Sequence, residues 1–293
     1  MLSLEDELAA AGAPPAALAA ERREVFSLFG ELRAASYIAV ALVTTGVGIL
    51  IKNNADRIGP VAILGALLLA AAACYGFALR RRERTIVTDY VLLLGALLVS
   101  AAVGYAESQF HLLGANWSRH LLLLAILHIA TAYLTDSRLL LSAGLAALAG
   151  WFGAELRTFD YNANFGGSAL ACAATVGVLR LANRHKAFDA TYEHFAATLA
   201  FFGALAWAFD RDMRWIGVFT ALALAALAVW RGLRGGGEAM VVYAIVYATI
   251  AFDTAVLDLL HDAALTFFYL LISTPAAIVL LFVVYRRLQE RRA

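Results

Sequence analysis

The amino-acid sequence predicts an all-α fold, a polytopic transmembrane helical bundle of about ten spans with both termini cytoplasmic, and three observations carry that expectation. The first is composition. Of 293 residues, 62% are hydrophobic and 15% charged, with a mean hydropathy of +0.76; soluble domains average about 45–50% apolar and 25% charged. A soluble interior of this size cannot hide so much apolar surface, whereas lipid solvates it. The second is a series of ten apolar runs, each near the roughly 20 residues that cross about 30 Å of hydrocarbon. The third is charge: with the N-terminus inside, 17 arginines and lysines fall in inner segments and 6 in outer ones, the asymmetry of the positive-inside rule.

In chain order, residues 1–33 read as an amphipathic cytoplasmic or interfacial lead-in, and residues 34–293 as the transmembrane helical domain. In the lead-in, Leu18, Val25, Phe26, Leu28, Phe29 and Leu32 recur at helical spacing between Arg22, Arg23, Glu24 and Glu31, a pattern suited to a helix lying on a membrane surface. The opening MLSLEDEL is acidic, so a cleaved signal peptide is not expected. The apolar runs lie near 34–51, 60–79, 86–106, 120–135, 138–154, 166–183, 194–209, 214–231, 239–257 and 263–285. The fourth, fifth and seventh are short enough for one of them to be re-entrant. An odd number of spans would carry the basic C-terminal RRLQERRA to the outside and spoil the charge pattern.

Composition also narrows the partners. A net charge of +1 argues against nucleic acid, which requires a basic face able to release counterions from many phosphates. Cys74 and Cys172 both fall inside predicted spans and read as small apolar packing residues. Small residues recur four apart, as in Thr44 and Gly48, Ala146 and Gly150, Gly167 and Ala171, and Ala173 and Gly177, a spacing that lets helices approach closely in lipid. The expected partners are therefore the bilayer and a membrane-protein partner or second copy.

Three stretches carry a family resemblance. GVGILIKNNADRIGP at Gly46 to Pro60, AESQFHLLG at Ala106 to Gly114, and LTDSRLLL at Leu134 to Leu141 resemble the bacterial predicted inner-membrane proteins grouped as domain of unknown function 2157. Members of that family place an amphipathic helix before a glycine-bearing first span that ends in an Asn-Trp-like turn, with a Gln-aromatic pair in a later polar turn. This chain has Asn53, Asn54, Gln109 and Phe110 at the matching places, and departs with Asn-Asn-Ala at the first turn. The resemblance covers about the first half of the chain. It implies a multi-pass inner-membrane protein and brings no established activity.

Ionisable groups at membrane depth cost about 2.5 to 3.5 kcal/mol on insertion scales, so each asks for a reason. Glu107 and His111, four apart, share a helical face if the third span extends past Tyr105, making either a titratable pair or two solvated headgroup-level side chains. Arg119 and His120 open the fourth span beside Trp117, an interfacial belt residue. His128 lies near the middle of that span with Thr131 and Thr135 following, and is either a hydrogen-bonded helix contact or part of a relay. Asp89 lies one turn inside the third span beside an arginine cluster and reads as an ion-pair partner.

In the ninth span, Tyr243, Tyr247, Thr254, Asp258 and His261 fall within about 60° at 100° per residue, a polar stripe facing the bundle. Asp253 lies off the stripe, about 6 Å from the outer end of that span. Pro275 is the mid-span proline, a candidate kink in the tenth span. Outer acids outnumber outer bases, which suits either a weakly cation-favouring vestibule or topology alone.

Enzyme signatures are missing: no HExxH, zinc-spaced Cys or His pair, GxSxG, Walker lysine or GxGxxG occurs. No catalytic residue, cofactor or metal is assigned. Three classes of function remain: a transporter or channel-like protein for a cation or small polar solute; a non-catalytic accessory or assembly subunit; and an intramembrane enzyme with an outer acid and histidine site. Pathway candidates are Asp253, Asp258, His261, Tyr247, His128, Glu107 and His111.

Overall fold

A computed structural model describes residues 28–81, 85–155, 163–235, 238–260 and 262–290. Among these residues there are ten α-helices and no strand: α1 Leu28–Ile58, α2 Pro60–Arg80, α3 Ile86–Phe110, α4 Arg119–Thr135, α5 Arg138–Glu155, α6 Ala163–Ala182, α7 Asp189–Phe209, α8 Arg214–Gly235, α9 Glu238–Leu259 and α10 Ala263–Glu290. Each coincides with one apolar run. A helix is the natural form for such segments, because it satisfies the backbone internally where lipid offers no hydrogen bonds. Most of the lead-in, and with it the surface helix expected there, lies outside the described residues.

Six stretches are long and apolar enough to cross a bilayer: Pro60–Arg80, Val87–Phe110, Phe165–Ala182, Arg214–Gly232, Ala239–Leu259 and Ala263–Val284. The apolar parts of α1 and α4, Ala34–Ile49 and Arg119–Thr135, are shorter. Helix α5 is 18 residues with Arg138 and Glu155 at its ends, and α7 carries Asp189 and Glu193 in its first turns. Among the described residues there are therefore ten helices, of which six have the dimensions of a span.

Helix ends follow local chemistry. Thr85 caps α3 by accepting from the Thr88 N–H at 3.3 Å, and Pro60 occupies the first turn of α2 after Gly59, whose φ of 81° suits glycine. Helices α3 and α4 close on left-handed residues, His111 and Asp136, with φ of 46° and 51°. Two of the acids assigned to the outer side, Asp210 and Asp262, bond to backbone beside helix starts, Asp210 in the turn before α8 and Asp262 as the cap of α10. Asp210 accepts from the N–H groups of Asp212 and Met213 before α8, and Asp262 from those of Ala264 and Leu265 before α10.

The chain divides into two compact units, Met1–Ala147 and Leu148–Ala293, with the boundary inside α5. In the first, α2 packs along α3, α1 touches both, and α3 meets α4. Ile63, Leu67, Ala71, Leu98 and Ala102 form its core, and Cys74 packs against them as a free thiol. In the second, α7 packs against α6, α8 and α9, α8 lies along α9, and α10 packs on α9. None of α10's apolar window is buried, and the helix continues through Pro275.

Close approaches occur at glycines other than the expected ones. Gly48 and Gly177 face open space. The tight crossings are at Gly166 and Gly203, where a Cβ on Gly203 would stand 2.7 Å from Gly166 O and one on Gly166 would stand 2.8 Å from Gly203 O. At Gly217 a Cβ would collide with the α7 backbone around Trp207 and Ala208, and at Gly144 it would lie 2.9 Å from Ile129 N. Small residues do draw helices together here, but spacing alone does not reveal which face is packed.

Candidate functional site

The seam between α3 and α4, wholly within the first unit, gathers polar groups at three levels. The two helices run antiparallel across the Glu107 to His120 break, so residues late in α3 face residues early in α4. At this end Glu107 accepts from His120 Nε2 at 2.7 Å and from the N–H groups of Leu113 and Gly114, both at 3.0 Å. The carboxylate thus ties the loop to the next helix through charge-assisted bonds. The sequence left two alternatives for Glu107, a pair with His111 four residues on or a solvated side chain at headgroup level. His111 instead ends α3 in the left-handed conformation and is exposed, so the chain turns away and brings His120 back to Glu107.

At mid-height His128 is 2% exposed, and its Nε2 lies 2.9 Å from Ser100 Oγ on α3. Ser100 Oγ also lies 3.0 Å from Ala96 O, to which its hydroxyl can donate while its oxygen accepts from a His128 Nε2–H. His128 Nδ1 is buried with no hydrogen-bond partner among the described residues. A buried acceptor left unmet costs about 1–3 kcal/mol. Thr131 and Thr135, which follow His128, bond back to their own helix at Leu127 O and Thr131 O, both at 2.7 Å.

At the far end a cavity of about 220 Å³ is lined by Arg81, Thr88, Asp89, Leu92 and Thr135, among others. Thr88 and Thr135 are buried, and Asp89 sits in the first turn of α3. Along α4, Thr135 is about 10 Å from His128 and His128 about 12 Å from His120, at 1.5 Å per residue.

The ninth-helix candidates are distributed differently. Tyr247 stacks on Phe201 of α7 at 4.7 Å, with Tyr243 beside it at 6.4 Å. Asp258 forms an ion pair with Arg214 at the start of α8, and Asp253 accepts from Tyr269 Oη of α10 at 2.6 Å. Thr254 bonds to Ile250 O. The predicted stripe is thus divided among α7, α8 and the helix's own backbone, with Asp253 turned to α10. His261 lies outside the described residues.

Sequence reasoning missed two participants. Ser100 is an ordinary serine inside an apolar run, and only the fold brings it to a histidine 28 residues away. Glu193 holds Arg180 at 2.6 Å and Arg231 at 2.9 and 3.3 Å, joining α6, α7 and α8. Helix α7 begins at Asp189, five residues before the apolar run at 194, which takes Glu193 into the helix. The available signal was a pair of acids one helical turn apart, Asp189 and Glu193, between arginine-bearing inner turns. Among the described residues, no group of three or more His, Cys, Asp or Glu side chains is placed to hold a metal.

Apolar helices joined by glycine crossings and a few interhelical polar bonds define a multi-pass α-helical membrane protein. Residues 6–141 match the model of a family described as a predicted membrane protein, DUF2157. That match spans all three stretches that carried the resemblance, and it contains the whole α3–α4 seam. No curated protein and no solved structure matches the chain.

Proposed function

We propose that the chain is an inner-membrane protein of ten spans with both termini cytoplasmic, and that it conducts or co-transports a proton or small cation along the α3–α4 seam. The observation that carries this reading is His128, buried at mid-membrane height with one ring nitrogen unmet, between the Glu107–His120 pair and the Asp89 cavity. An ionisable side chain inside a span is a functional pointer by default, and imidazole is the group that exchanges protons near neutral pH. Steps of about 10–12 Å between the stations exceed a hydrogen bond, so water would have to link them. Reconstituted protein should dissipate an imposed pH gradient, and Asp89→Asn should slow the dissipation at least about fivefold. A flux equal to that of protein-free vesicles would end the reading.

A second reading, an accessory or assembly subunit of a membrane complex, draws on the second unit. Its acids Glu193, Asp253 and Asp258 are engaged in interhelical bonds, as in a bundle whose polar groups serve cohesion. Purification in a mild detergent should then bring down a stoichiometric partner, whereas a monodisperse single species active in the flux assay would exclude it.

A further inference from the structure

We propose that the cavity between α6, α7, α8 and α9 is a binding site for an anionic phospholipid, with the headgroup phosphate at Arg180 and Arg231 and the first part of an acyl chain along the apolar floor. The cavity has a volume of about 210 Å³, with Arg180, Glu193 and Arg231 at one end, where Met240 of the α9 start also lines it, and Phe201 and Leu224 further along α7 and α8. Two guanidinium groups and one carboxylate leave a net positive charge at that end. Arg180 engages Glu193 through Nη2, and Arg231 through Nε and Nη2. Nη1 of each guanidinium is uncommitted among the described residues. Two such donors beside one another suit the oxygens of a phosphate, which arginine recognises in a forked geometry.

The rest of the cavity points to an amphiphile. Arg180 lies in the last turn of α6 and Arg231 in the penultimate turn of α8, so the charged end sits at the level where these helices leave the bilayer. Leu224 is seven residues deeper along α8, about 10 Å. Leu227 at the rim is 58% exposed, so a chain entering at the arginines has a lateral exit into lipid. The volume equals that of about seven waters at about 30 Å³ each. It admits a phosphate with the beginning of a chain, leaving the remainder of the lipid outside. Basic pockets between transmembrane helices are recognised sites for anionic headgroups. The site lies in the second unit and is independent of the transport reading.

The test uses full-length protein in a neutral detergent, with lipid retention followed by native mass spectrometry and thermal melting. Dioleoyl phosphatidylglycerol should be retained at least about tenfold better than dioleoyl phosphatidylcholine and should raise the melting midpoint, while inorganic phosphate alone should leave that midpoint unchanged. Arg231→Gln should cut the preference about tenfold, the scale of one charge-assisted bond. Glu193→Gln, which keeps both guanidiniums, should preserve it. Ala200→Phe, which fills the groove without touching a charge, should reduce phosphatidylglycerol retention to the phosphatidylcholine level, and it decides the matter if Arg231→Gln fails to fold. Equal retention of the two lipids, a full shift with phosphate alone, or an undiminished preference in Ala200→Phe would overturn the proposal.

Discussion

The two units manage polar groups inside an apolar bundle in contrasting ways. In the second, the acids Glu193, Asp253 and Asp258 hold partners on neighbouring helices and Tyr247 is locked in a stack on Phe201, although His194 Nδ1 and Arg214 Nε are buried there without a hydrogen bond among the described residues. In the first, the buried His128 has Ser100 on one nitrogen and no described partner on the other, and a polar-lined cavity opens at one end of the same seam. A bundle selected only for cohesion gains nothing from an unmet buried acceptor, since an apolar side chain of similar size avoids the penalty. The contrast is one of placement: in the second unit carboxylates join helices, and in the first a histidine with one unmet nitrogen lies on the same seam as a polar-lined cavity, which is why the proposed exchange is assigned to His128.

Substitutions in the two units test this difference, and the largest effect falls on packing. Gly203→Leu in the second unit drives a side chain into Gly166 O and Leu170 and should cost at least about 3 kcal/mol, the upper range for overpacking, with loss of monodispersity in size-exclusion chromatography. Gly48→Leu in the first unit meets open space and should leave the elution profile unchanged. Glu193→Ala leaves two guanidiniums facing each other at a partly exposed site and should cost about 1 kcal/mol after solvent screening, read as a lower melting midpoint that recovers in high salt.

Glu107→Ala should leave helix melting nearly as it was and release the 107–120 loop, seen as faster cleavage by an added protease; unchanged cleavage would mean that the loop holds without its carboxylate. The smallest effect is expected for Asp258→Asn. Its carboxylate is 42% exposed, so the stability change should stay below about 1 kcal/mol and ion flux should be unaltered. A flux defect there would move the pathway into the second unit.

Much of the helical architecture is legible in the sequence, because ten apolar runs bounded by arginine, glycine and proline leave the backbone few alternatives to helix. The site was less so, for reasons specific to each residue. For Glu107 helical spacing offered only an i+4 neighbour or solvent, but His111 terminates the helix in a left-handed turn and the carboxylate meets His120, 13 residues on. Glu193 was overlooked because hydropathy places the start of α7 too late, at the point where the polar first turns give way to the apolar run. Among the small-residue pairs, Gly48 and Gly177 face open space, whereas Gly167 lies against Trp207 and Ala173 is buried. Gly203 meets Gly166 across helices, a pairing that no spacing within one helix encodes. His128 and the divided polar stripe of α9 were visible as residues, whereas their partners Ser100, Arg214 and Tyr269 are products of the fold.

The central claim is that His128 exchanges protons across the seam. Its most direct test is the decay of a pH gradient in proteoliposomes loaded with equal amounts of folded wild-type protein or His128→Gln, with Asp258→Asn as the control. The account predicts at least a tenfold slower decay for His128→Gln and a wild-type rate for Asp258→Asn. Equal rates for wild type and His128→Gln would contradict it and reduce His128 to a packing contact between α3 and α4.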